Sequence, residues 1–124
     1  GSSGVMVDRE QILTWDPEII FFDAGSMALV RTDYAENPGY FDQLQAVESG
    51  ELYQWPNSTW HWSNVEIPLV SAYYVGQLLY PDAFADVDFP AKASEIFDFF
   101  LGQPDYLQVL EEAGAGYGKV TLGE

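Results

Sequence analysis

Three tryptophans and a histidine crowd one short stretch of this chain: Trp55, Trp60, His61 and Trp62. Flat, polarisable rings at that density can wall a site for a planar organic ligand or a metal chelate. Trp62 has a second reading, as an apolar staple packed on the helix that follows it. His61 is the single histidine, and a lone loop histidine is more often a polar contact than a metal ligand, so no metal site is expected. Asp23 and Ser26 are the other candidates for ligand contact. They flank a turn directly after the apolar run Ile19-Ile20-Phe21-Phe22, where a strand of an α/β sheet would present its carboxyl end to a ligand.

Catalytic arrangements find little support. A serine nucleophile would need His61 as its base, yet the histidine is wedged between two tryptophans and no Gly-x-Ser-x-Gly elbow exists. Twenty acidic residues make some close carboxylate pair inevitable, so a hydrolase of the paired-carboxylate kind is only a third-ranked reading. The glycines at 114, 116 and 118 follow a helix instead of joining strand to helix, which excludes a phosphate loop. No catalytic residue and no cofactor is expected, and the chain reads as a binder and not an enzyme.

Charge narrows the partners. Four Lys+Arg against twenty Asp+Glu give a formal charge of −16, which excludes a nucleic-acid backbone and an anionic membrane surface. The acids are scattered, as on a solvated surface, and not massed in an acidic tail. With 48% hydrophobic and 16% aromatic residues in 124, the chain can bury the core of one domain. The absence of cysteine removes disulfides and thiolate metal sites.

The elements that must position these residues follow from caps, breakers and periodicity. Asp8 with Gln11 opens a helix through about Trp15, stopped by Asp16-Pro17. Residues 19–22 form a strand apolar on both faces. Residues 27–34 fit a loop or a short helix. Asn37-Pro38 opens a helix ending near Leu44, residues 45–50 read as a turn, and residues 51–55 as a second strand. Ser63 and Glu66 make a capping box for a helix reaching Tyr80, whose apolar residues nearly encircle it. Pro90 opens another, with Ile96, Phe97, Phe99, Phe100 and Leu101 expected inward and Gly102 as its stop. Pro104 opens the last, and residues 114–124 read as a loose glycine-rich end. Residues 1–6 are tag-like or linker-like. The expected fold class is α/β, helix-rich with about two parallel-type strands. Two strands are too few for a complete α/β domain, so uncovered sheet edges would favour a dimer.

The order of certain segments resembles a known family. Asp16-Pro17-Glu18-Ile19-Ile20 comes first, then Leu44-Gln45-Ala46-Val47 with Gly50-Glu51-Leu52-Tyr53, then Leu79-Tyr80-Pro81 with Phe84. In this order and spacing they resemble the C-terminal lobe of ABC-importer substrate-binding proteins of the iron-siderophore, haem and cobalamin class. The resemblance spans residues 7–118, with 119–124 as a tail, and none of these motifs is a catalytic signature. It implies a two-lobed, helical-backbone binding protein of which this chain is one incomplete lobe. It also implies an extracytoplasmic place, periplasm or cell surface with a lipid anchor in the full-length form, and a membrane permease as partner. The loops after the two strands, carrying Asp23, Ser26, Trp55, Trp60, His61 and Trp62, would face a metal chelate in the cleft. Glu36, and after it Asp33, would be the acid that docks on the permease. The alternative, from a different class, is an acidic α/β interaction module that grips a protein partner through its tryptophan loop.

Overall fold

A computed structural model describes residues 5–57 and 64–123. Among these are seven α-helices and three short strands. In chain order they are α1 (Arg9–Trp15), β1 (Ile20–Asp23), α2 (Met27–Glu36), α3 (Pro38–Phe41), α4 (Gln45–Ser49), β2 (Leu52–Trp55), α5 (Glu66–Leu79), α6 (Phe89–Leu101), α7 (Tyr106–Glu112) and β3 (Gly118–Lys119). A 3₁₀ turn, Ala24–Ser26, links β1 to α2. The strands form one sheet in the order β1-β2-β3. The mixed α/β character read from the sequence is what the structure has, with three strands where two were expected.

At the start of the first pair, the Ile20 N–H donates to the Glu51 carbonyl at 3.1 Å. At the other end Asp23 and Trp55, the last residues of their strands, line one cavity. Starts lie beside starts and ends beside ends, so β1 and β2 run parallel.

The chain divides into two compact units. The first takes the residues up to 22, then 26–53 and those from 119 onward; the second takes 23–25 and 54–118. In the first unit Met27, Phe41, Ala46, Leu52 and Leu122 are buried, with Ile20, Phe22 and Val30 packed against them. Alternation along β1 follows from its pleat: Ile20 and Phe22 meet this core, while Phe21 stacks on Tyr53 at 5.7 Å. The strand is half-buried throughout and not closed over on both faces as its composition suggested.

Asp8 caps α1 as its spacing predicts, accepting the Glu10 N–H at 2.9 Å. Asp16 does more than stop that helix. It adopts the left-handed conformation (φ 40°), and its carboxylate accepts the Gln45 N–H at 2.8 Å, capping the first residue of α4. Its carbonyl also accepts a bond from the Gln45 side-chain amide. The segment expected as a turn is therefore the five-residue helix α4, held by a cap from a distant part of the chain.

The glycine-rich end is also tied down. Gly118 and Lys119 form β3, the Val120 N–H donates to the Leu52 carbonyl at 2.9 Å, and Leu122 is buried at 5% exposure. Lys119 reaches Glu51 at 3.3 Å and lies over the Tyr53 ring.

In the second unit α5 packs on α6 and α6 on α7, around Ile67, Val70, Ala93, Ile96 and Phe97. Asp88 caps α6 by accepting the Ala91 N–H at 3.1 Å, with Pro90 in the first turn and Gly102 closing the helix in the left-handed region. The inward face is narrower than expected. Phe99 is 82% exposed because the helical period carries it round from Phe97, and Phe100 and Leu101, in the last turn of the helix, are exposed as well. Ser63 and Trp62, the expected cap and staple of α5, lie outside the described residues.

Gly76, inside α5, leaves room for a ring. A Cβ there would stand 2.3 Å from the tip of Phe84, which also meets Tyr73 edge-on at 6.2 Å. Gly76→Ala should therefore lower stability by about 1 kcal/mol, although alanine is worth up to about 1 kcal/mol over glycine in a helix. In a Phe84→Ala background the same substitution should become stabilising. Chemical denaturation of the four proteins in this cycle checks it, and an unchanged sign would show that Phe84 does not depend on the glycine.

Candidate functional site

An apolar concavity bounded by described residues lies in the second unit and has a volume of about 420 Å³. One wall is a single face of α5, whose positions 67, 68, 71, 72 and 75 recur at helical spacing: Ile67, Pro68, Ser71, Ala72 and Val75. Pro68 costs this helix no bond, since it falls in the first turn where the N–H groups have no helical acceptor. Opposite stand Trp55 and Pro56 at the end of β2, and Asp23 at the end of β1. The volume is in the range of small-molecule sites, and among the described residues the lining is apolar apart from one carboxylate and one hydroxyl.

The polar groups are each held in place. Asp23 Oδ1 accepts the Gly25 N–H at 2.8 Å, so the carboxylate is fixed by its own turn. The turn is tight: a Cβ at Gly25 would lie 2.9 Å from Asn57 Nδ2 and 3.1 Å from Asp23 Oδ1. Among the described residues no cation pairs with Asp23. The Ser71 hydroxyl shares a hydrogen bond with the Tyr117 hydroxyl at 2.8 Å, and Tyr117 also donates to the Ile67 carbonyl at 3.4 Å. Burial pushes the Tyr117 phenol up to about 12, against a smaller lowering by its bond to Ser71. It is a neutral, fixed support behind the α5 wall and not an acid or base at working pH.

Of the residues expected from the sequence, Asp23 and Trp55 are brought together at this cavity. Ser26 is exposed at the start of α2, makes no side-chain cap there and is not part of the lining. Trp60, His61 and Trp62 lie outside the described residues. The α5 face and the Ser71–Tyr117 pair were not foreseen: a helix apolar nearly all round does not announce which side lines a cavity.

The first unit holds a smaller cavity of about 250 Å³, lined among others by Ile12, Phe22, Val30 and Leu44. Its two charges are spent on each other. Arg9 pairs with Asp33 at 2.6 Å, lies over the Tyr40 ring, and holds the Asp33 carboxyl below its ordinary range, mainly through that hydrogen bond. Asn37 donates a further bond to Asp33 at 2.9 Å. Of the two candidate docking acids, Asp33 is thus committed inside its unit. Glu36, at the exposed end of α2, makes no ion pair among the described residues.

Among the described residues no cluster of three or more His, Asp or Glu could hold a metal ion, and no helix is long and apolar enough to cross a membrane. No protein-family model matches the chain, and a comparison with curated proteins finds no match.

Proposed function

We propose that this chain is the C-terminal lobe of an extracytoplasmic substrate-binding protein of an ABC importer. It captures a metal chelate of the siderophore, haem or cobalamin class and passes it to a membrane permease, without catalysing a reaction. The observation that carries the reading is the cavity of about 420 Å³ at which Asp23 and Trp55 meet, each the last residue of one of two parallel strands. Strand carboxyl ends are where open α/β sheets hold ligands. The order of segments over residues 7–118 supports the same family. Trp60, His61 and Trp62, outside the described residues, are the further ligand contacts that the sequence offers in this reading, and Glu36 is the acid offered to the permease, at the periplasmic or cell-surface face of the membrane.

The test is a tryptophan-fluorescence titration of the 124-residue chain with a ferric hydroxamate, haemin and cyanocobalamin. One of the three should quench saturably. Trp55→Ala should weaken that binding roughly tenfold, or about 1.4 kcal/mol, with little change in the ligand-free melting temperature. No saturable response to any of them would remove the importer reading. A Trp55→Ala protein that melts early but binds normally would make Trp55 a packing residue.

A further inference from the structure

We infer that the cavity beside α5 takes an organic cation: a positively charged apolar group seated on Trp55, with its charge toward Asp23. The inference rests on reading this cavity as a ligand wall, and it adds the chemical class of the group that meets it.

Three observations combine. Trp55, Ile67, Pro68, Ala72 and Val75 make the cavity apolar, so a ligand must shed water to enter. Among the described residues Asp23 is the one charged residue of the lining, and it has no cation there to neutralise it. Its carboxylate is held by the Gly25 N–H through Oδ1 alone, which leaves Oδ2 without a hydrogen bond among the described residues. A carboxylate beside an indole is the pairing that favours an ammonium: the anion supplies Coulomb attraction and the ring a negative π face. An anionic group would face both Asp23 and a chain of formal charge −16. A neutral group would leave the carboxylate partly desolvated and unpaired. The Arg9–Asp33 pair closes the same option in the other cavity, where the acid already has its cation.

Isosteric probes separate charge from shape. Choline and 3,3-dimethylbutan-1-ol differ by a quaternary nitrogen in place of carbon, and binding is read from the Ala72 and Val75 methyl resonances of the intact chain. Choline should bind at least tenfold more tightly than the alcohol. Asp23→Asn should erase that preference without weakening the alcohol, and Asp98→Asn, at an exposed acid that is not among the described lining residues, should leave both affinities unchanged. Equal affinities for the two probes would overturn the inference and leave the cavity a ligand wall. A choline preference that survives Asp23→Asn would also overturn it, assigning the effect to the overall negative charge. Failure of both probes would overturn it too, and the chelate titration above would then decide separately whether the importer reading stands.

Discussion

Replacing Phe97 by alanine is expected to cost about 3–5 kcal/mol, the range for emptying a closed aromatic site. Phe97 has no exposed surface, is one of the two largest fully buried side chains, and meets Tyr106 edge-on at 5.1 Å. Its neighbours Ile67, Val70, Ala93 and Ile96 sit on helical backbones that cannot collapse far into the gap. A loss of that size is comparable to the whole stability of many domains of about 5–15 kcal/mol. Phe99→Ala is the control. Phe99 lies two residues away on the same helix but is 82% exposed, so its removal should change stability by less than about 0.5 kcal/mol. Denaturant unfolding followed by far-ultraviolet circular dichroism gives both numbers. Similar losses for the two variants would mean that α6 is not oriented as described.

That contrast marks how far the sequence could be read. Pro90 and Gly102 bracket α6 correctly, because a first-turn proline and a left-handed glycine act locally. Which of Phe97, Phe99 and Phe100 turns inward is decided by the partner helix, and three aromatics in four positions blur the period that would reveal it. Asp8 was legible as a cap for the same local reason, since its acceptor reaches a backbone N–H two residues on. Asp16 was not, for its carboxylate caps a helix 29 residues away, and nothing near Gln45 carries the cap. Without that cap in view, the five residues of α4 are too few to show a helical period. The end of the chain misled through its glycines, although Val120 and Leu122 alternate with polar neighbours as strand residues do.

The candidate site divides along the same line. Asp23 and Trp55 were readable because each ends a short apolar or aromatic run at a turn, where α/β sheets put their ligands. Ser26 shares the turn but lies outside the lining, one short 3₁₀ turn further on. The wall made by α5 was hidden because apolar residues occupy nearly every face of that helix. Tyr117 was lost among glycines. Only the fold shows it against Tyr74 at 4.8 Å and Phe89 at 5.3 Å, with its hydroxyl turned to Ser71.

Tyr117 also sets the second large expectation, a loss of stability in alkali. Folding raises its phenol from 10.0 to about 12, first through burial, so the folded state holds the proton more tightly than the unfolded chain does. The stabilisation is whole below pH 10 and is lost as the pH climbs through about 12. Two pKa units correspond to roughly 3 kcal/mol over that window. Tyr74 is raised by burial as well and adds to the same decline. Tyr117→Phe should cost about 1 kcal/mol at neutral pH, where it removes the bonds to Ser71 and Ile67, and should flatten most of the alkaline decline. Ser71→Ala should act in the opposite sense on the titration, because the Ser71 hydrogen bond lowers the phenol's pKa and its loss lets burial act unopposed. Urea unfolding across the alkaline range, with phenolate absorbance recorded on the folded protein, reads both effects. If every tyrosine titrates near 10 in the folded chain, or Tyr117→Phe keeps the full alkaline decline, the phenol is not the buried support of the α5 wall.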